Sequence, residues 1–324
     1  MRVTVIVPTY RRPQDLKRCL AALKAQTRPV DQVIVTVRDT DTQTWTFLDT
    51  WERESLPLQT IQVCVPGVVA AMNAGLSIAT GDIIAFTDDD AAPRPQWLEQ
   101  IVTYFQSDEQ IGAVGGRDWQ WVGDQIKEPG EREIVGIIQW FGRPIGNHHL
   151  AVGQPREVDV LKGVNMSFRR TAIQGMHFDT RMRGSGAQVH FELAFNLALR
   201  RAGWKIIFDP AVAVDHYPAQ RFDEDQRDNF NDLAWTNAVH NETLALLEHF
   251  STWQRLVFLT WAVLIGTREA FGIVQYLRLL PSEGAIAQRK LLASLKGRWQ
   301  GLQTWLDSRQ TPSLPQPVNP ESKI

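Results

Sequence analysis

Only two cysteines, Cys19 and Cys64, occur in the 324 residues. That is too few for a disulfide framework, and the pair lacks metal-ligand spacing, so a reducing, cytoplasmic setting is expected. Long hydrophobic runs are also missing. The longest nearly uncharged one, Leu256 to Gly266, has eleven residues and cannot span a bilayer core of roughly 30 Å. The opening MRVTVIVPTY lacks a basic leader and a small-residue cleavage site, and it predicts a strand in place of an export signal. Charge of one sign is absent too: 34 basic residues face 36 acidic ones for a net of −2, which excludes the global field a nucleic-acid partner would need. No G-x-G-x-x-G follows a strand, so a dinucleotide-binding dehydrogenase is excluded. No internal repeat is visible.

The chain is instead 44% hydrophobic, enough to bury one large core or two modest ones. Val3 to Val7 reads as a β-branched strand stopped by Pro8, followed by a helical face of Leu16, Cys19, Leu20 and Leu23. Further strands are expected over Val33 to Val37, Thr60 to Val65, Ile83 to Phe86 and Ile111 to Gly116, with a helix from Val69 to Ala79. A less regular loop is expected from Trp119 to Val158, punctuated by Pro129, Gly130, Pro144 and Gly146. A helix from His190 to Ala202 and the strand WKIIFDP follow. Alternating strands and helices predict an α/β fold with a mostly parallel sheet covered on both faces, and such sheets bind ligands at the carboxyl ends of their strands.

Asp88-Asp89-Asp90 follows the strand IIAF directly. Carboxylates so close repel unless a cation or protons offset them, and oxygen ligands suit Mg²⁺ or Mn²⁺ with positions left for substrate phosphates. An EF-hand loop does not fit, because counted from Asp88 its fifth position is Ala92, which offers no ligand, and its sixth is Pro93 in place of the turn glycine. The alternative is a solvated acidic turn capping the next helix.

Four ordered blocks carry a resemblance to a known family: VIVPTYRRPQDLKRCLAAL, AAMNAGLSIATGDIIAFTDDDAAPRPQWLEQIV, LKGVNMSFRR and ELAFNLALRRAGWKIIFDPAVAVDHYP. Together they resemble the family 2 glycosyltransferases over about residues 1–220. The resemblance implies a Rossmann-like GT-A module at 1–222; beyond it the pattern changes to helices, expected over 223–308, and the four prolines and near lack of large apolar residues predict a disordered tail at 309–324. It implies inverting transfer of one sugar from a nucleotide-diphosphate donor, UDP-sugar favoured, to a hydroxyl of a glycan or glycolipid. The processivity signature Q-x-x-R-W does not occur.

By the same resemblance, Pro8, Thr9 and Tyr10 line the nucleoside pocket, and Arg38, Asp39 or Asp41 contacts the base or ribose. Asn73 contacts phosphate or ribose, with Met72 where the family often has arginine. Asp88 and Asp90 hold the metal, Asp89 joins them at the donor, and Asn165 faces the pyrophosphate or acceptor. His216 is a further metal ligand, with a structural histidine as the alternative. Glu192 aligns with the family's catalytic base, beside Phe191 where an acid is usual; its alternative is a helix N-terminal acid. His148 and His149 lie in the long loop and are expected at the surface, with closure of the site as the alternative. A nucleotidyltransferase is the rival enzyme, although PTYRRPQ has no glycine for a triphosphate loop, and a binding module without catalysis is the non-enzymatic rival.

Between Leu256 and Leu280 apolar residues are interrupted by Arg268, Glu269 and Arg278, so a span would bury charge. Tryptophans and basic residues across 253–309 suit peripheral contact with a membrane's inner face. The alternative is a helical pair packed on the catalytic module or on a second subunit.

Overall fold

The computed structural model describes residues 1–51, 56–128, 130–226 and 229–310; Pro129 and the expected tail beyond Gln310 lie outside them. In chain order the strands are β1 (Val3–Thr9), β2 (Gln32–Arg38), β3 (Leu58–Val63), β4 (Ile83–Thr87), β5 (Ala91–Pro93), β6 (Ile111–Val122), β7 (Gln125–Ile126), β8 (Ile137–Ile138), β9 (Pro144–Ile145), β10 (Arg156–Glu157), β11 (Asn165–Arg169) and β12 (Lys205–His216). The helices are α1 (Pro13–Lys24), α2 (Thr42–Thr50), α3 (Val68–Ile78), α4 (Trp97–Ser107), α5 (Phe191–Arg201), α6 (Asp232–His249), α7 (Thr252–Leu264), α8 (Ile273–Glu283) and α9 (Ala285–Gln310).

The main sheet runs β10-β12-β6-β11-β4-β1-β2-β3. β11 is antiparallel to both neighbours, while β1, β2, β3 and β4 are mutually parallel and β12 runs parallel to β6. Two reversals across β11 bring β6 and β12 back into the direction of β4. The carboxyl ends of β1, β2, β4, β6 and β12 therefore share one edge with the start of β11. Alternation along each strand divides the core: Ile6, Ile34, Ile84 and Phe86 face α3 and α5, and Val5, Val7, Val33 and Val35 face α1 and α4.

Pro8 does not stop β1. It pairs with Thr36, and Thr9 pairs with Val37, whereas pairing with β4 ends at Ile6 and Phe86. β1 and β4 thus part company at their carboxyl ends, where the chain order reverses and α/β sheets hold their ligands. The expected loop from Trp119 is also more ordered than its sequence suggests. β6 continues to Val122, turns into β7, and the β8–β9 hairpin follows.

The change to all-helical structure falls between His216 and Asp232, and the core crosses it: Leu244, Leu246 and Leu247 of α6 share the apolar cluster of Phe86, Phe168 and Phe195. α9 lies close along α6. A Cβ on Gly297 would stand 2.6 Å from the Thr236 carbonyl oxygen, and one on Gly301 2.8 Å from that of His240. Buried between the helices, Arg298 pairs with Glu242 at 2.5 Å. Among the described residues no helix is long and apolar enough to cross a membrane.

Candidate active site

A cavity of about 450 Å³ opens at the shared carboxyl edge. Pro8, Thr9 and Tyr10 reach it from β1, Arg38 from the end of β2, Asp88 and Asp90 from the β4–β5 turn, His216 from the end of β12, and Phe191 and Glu192 from the first turn of α5. Ligand atoms of Asp88, Asp90 and His216 all lie within 4.8 Å of one another. Donors around an octahedral ion with bonds of 2.0–2.1 Å stand roughly 3 to 4 Å apart, so a small closure would suffice. Two carboxylates and an imidazole make a donor set suited to Mn²⁺ or Mg²⁺.

The trio is braced from below. His216 is buried, its Nε2 3.3 Å from Asp90 Oδ1 and its Nδ1 3.3 Å from Asp118 Oδ2. Asp118, fully buried near the end of β6, also accepts from Lys162 Nζ at 2.5 Å. Burial would raise the Asp118 carboxyl, but Lys162 and His216 hold it well below the usual carboxylate range. Burial would likewise raise Asp90, and His216 and Arg12 hold it low. Burial would lower His216, whereas its two carboxylate partners raise it above its ordinary value.

Asp89 turns away from the cavity. It is fully buried and gripped by Arg12, whose Nη2 lies 2.7 Å from Oδ1 and whose Nε donates to Oδ2 at 3.0 Å. Burial alone would lower the Arg12 guanidinium, yet Asp89, Asp90 and Asp88 hold it above its usual range. Beyond β12 the chain folds back over the trio. Tyr217 N donates to the Asp90 carbonyl at 2.8 Å and Ala219 N to Asp90 Oδ2 at 2.9 Å. This fold brings Arg221 and Phe222 to the cavity wall, with Phe222 edge-on to Tyr10 at 6.2 Å.

Glu192 is half-buried, and burial pushes its carboxyl above the usual range. The segment before it is fixed by the Gln188 side chain, which accepts from Val69 N at 3.0 Å and donates to the Met182 carbonyl at 2.7 Å. Gly67, at φ 106°, makes room for Gln188: a Cβ there would stand 2.1 Å from Oε1.

Several sequence-named residues hold structure outside the cavity lining. Asn73 exchanges hydrogen bonds with the Phe178 backbone, donating to its carbonyl at 2.9 Å and accepting from its N–H at 2.8 Å. Asn165, fully buried, accepts from Trp97 Nε1 at 2.9 Å and donates to the Val212 carbonyl at 2.7 Å. Asp41 caps α2 through Thr44 N and accepts from Arg11 N at 2.5 Å. Asp39 lies 3.5 Å from Arg38 Nε, and of Arg38, Asp39 and Asp41 only Arg38 lines the cavity. His148 is not at the surface. It is buried against the Val160 carbonyl at 2.9 Å, and burial lowers its pKa to about 4. His149 is partly exposed and pairs with Glu128 at 3.0 Å.

Sequence reasoning missed Arg12, Lys162 and Asp118. Asp118 ends the run GGRD, two residues past the expected strand, and Lys162 stands in the block LKGVN; only the fold brings them together.

The model of glycosyl transferase family 2 matches residues 4–176. The chain belongs to that family. Among family relatives, the glycosyltransferase AglE of Haloferax volcanii is 32% identical over 120 residues, 35% of this chain and 38% of AglE. The glucosyl-dolichyl phosphate glucuronosyltransferase of the same organism is 25% identical over 229 residues, 67% of this chain and 69% of that protein. The chain spans under two fifths of the first two curated relatives, 38% and 36% of their lengths. The GT-A fold is shared with S. aureus TarS 1–349 in complex with UDP-GlcNAc, at TM-score 0.61 and 14% identity, covering 95% of this chain and 83% of that one. It is shared too with GalNAc-T7 bound to UDP, GalNAc and Mn²⁺, at TM-score 0.64 and 11% identity, covering 95% of this chain and 57% of that one.

Proposed function

We propose that this glycosyltransferase carries out an inverting, metal-dependent transfer of one sugar from a nucleotide-diphosphate donor, UDP-sugar favoured, to a hydroxyl of a glycan or glycolipid. The observation that carries the reading is the placement of Asp88, Asp90 and His216 in one cavity with Glu192 and the Pro8–Tyr10 strand end. Asp88, Asp90 and His216 would hold Mn²⁺ or Mg²⁺, which when bound offsets the charge of the leaving diphosphate. Tyr10 and Arg38 border the part of the cavity that would take the nucleoside. Arg12 keeps Asp89 neutralised, so the carboxylates turned toward the donor are Asp88 and Asp90. Glu192, its carboxyl raised by burial, accepts the proton of the acceptor hydroxyl as that oxygen attacks the anomeric carbon. The UDP preference follows two neighbours in fold, since the TarS and GalNAc-T7 complexes hold UDP-GlcNAc and UDP with GalNAc. A mannosyltransferase of the same fold holds GDP-Man and Mn²⁺ and makes GDP-sugars the other arm of the test.

The test is a thermal-shift screen of UDP- and GDP-sugars with and without Mn²⁺. A donor at 100 times its Kd should add about 2.7 kcal/mol of stability. UDP-sugars should raise the melting temperature only with the metal, and no shift with any donor would overturn the reading.

Asp118 would act through His216, holding Nδ1–H so that Nε2 faces the ion, the arrangement that outer carboxylates impose on metal-binding imidazoles. Asp118→Asn should weaken Mn²⁺ binding by about 10–100-fold, read as the Mn²⁺ concentration giving half the donor-dependent shift. An unchanged Mn²⁺ requirement would limit Asp118 to packing.

A further inference from the structure

Helix α8 is turned inside out. A helix resting on a water-soluble body puts its apolar stripe inward. In α8 the half-buried side carries Gln275, Tyr276, Leu279 and Glu283, no residue is buried, and Ile273, Val274, Leu277 and Leu280 are exposed, Leu277 at 59%. α9 repeats the pattern on a longer scale. Its Gly297 and Gly301 side is pressed against α6, and the opposite side presents Leu292, Lys296 and Trp299 three and four residues apart, with Trp299 60% exposed. The start of α7 adds Trp253, 68% exposed, and Leu256.

Charge identifies the occupant. Residues 253–309 hold eight basic side chains against three acidic ones, in a chain whose net charge is −2. Arg298 is consumed by Glu242 and Arg289 by Asp232, whereas Arg278 and Lys296 stand exposed beside the apolar stripes. A two-fold contact between copies would set this basic face against itself. An anionic surface with an apolar interior satisfies both components: tryptophan and leucine enter the headgroup boundary while arginine and lysine meet lipid phosphate.

We propose that the outer face of α7, α8 and α9 docks on an anionic lipid surface. The docking needs no donor chemistry, so its failure and that of the transferase reading are separable.

The test is flotation of the full chain with phosphatidylcholine vesicles and with mixed phosphatidylcholine–phosphatidylglycerol vesicles. Partition into the mixed vesicles should exceed that into neutral ones by at least about tenfold, since each basic residue at such a surface contributes about 1 kcal/mol. The preference should vanish in Arg278→Glu/Lys296→Glu. Val274→Glu/Leu277→Glu, both at exposed positions, should abolish flotation while leaving the donor-dependent thermal shift intact. The proposal is overturned if the unaltered chain stays with the soluble fraction in both vesicle types, or if either double variant floats as the unaltered chain does. It is equally overturned if light scattering finds a dimer that Val274→Glu/Leu277→Glu splits while vesicles capture neither form; the face would then belong to a second copy.

Discussion

Asp90→Asn is expected to remove the Mn²⁺-dependent thermal shift with any nucleotide-sugar and to lower transfer by about 10³-fold, the scale of losing a principal charge-stabilising group. The substitution keeps the side chain's size but takes away its charge, and with it the partner of His216 Nε2 at 3.3 Å and of Arg12 Nη1 at 3.3 Å. A stability effect follows independently. Asp90 is held below the usual carboxylate range by His216 and Arg12 against its own burial, so the folded state binds this proton less readily than the unfolded chain. The stabilisation is complete above the unfolded carboxylate value of about 3.9 and is lost as pH falls through the lower folded value. At neutral pH the asparagine variant should therefore melt below the unaltered protein even without donor. Melting curves and transfer assays at a series of Mn²⁺ concentrations check both. Transfer at the original rate would remove Asp90 from the site.

Glu192→Gln should have the opposite signature. Transfer is expected to fall by about 10²–10⁴-fold, the usual contribution of a general base, with the donor's thermal shift unchanged. Because burial raises the Glu192 carboxyl, the acid limb of the rate profile should lie above the ordinary glutamate range, with activity rising as pH rises through it. The stability sign is reversed relative to Asp90. The folded state holds this proton more tightly than the unfolded chain, so stability declines as pH rises from the unfolded glutamate value to the raised one, and the full penalty persists above it. Glutamine removes that penalty, and the variant should melt higher than the unaltered protein at neutral pH. A variant that transfers at the original rate would show that the acceptor proton goes elsewhere.

The alternation of strands and helices was legible where a strand is a β-branched run, as in β1 and β2, and where a helix repeats its apolar face at the right interval. Val3–Thr9 with Leu16, Cys19, Leu20 and Leu23 is the plainest case. The cluster of Asp88, Asp90 and His216 was legible because two of its members stand one residue apart in sequence and the third ends a strand. Asn73 and Asn165 were harder to place. An asparagine that closes a backbone gap at Phe178 has the same local sequence as one that meets a phosphate, and only its partners separate the two. His148 misled for a related reason, since loop composition does not reveal that a segment folds back under Val160. Asp118 and Lys162 were out of reach because their meaning comes from β6 and the residues before β11 lying side by side, a pairing across 44 residues of sequence.

The path of β1 has a further consequence. Where β4 leaves β1 beyond Ile6 and Phe86, an ordinary residue at position 8 would bring an amide hydrogen to a sheet that is splitting open, and a buried donor left without an acceptor costs about 1–3 kcal/mol. Proline has no such hydrogen. Pro8 therefore lets the cleft floor part without stranding a donor, and the unzipping that opens the cavity is built into the covalent chemistry of one ring.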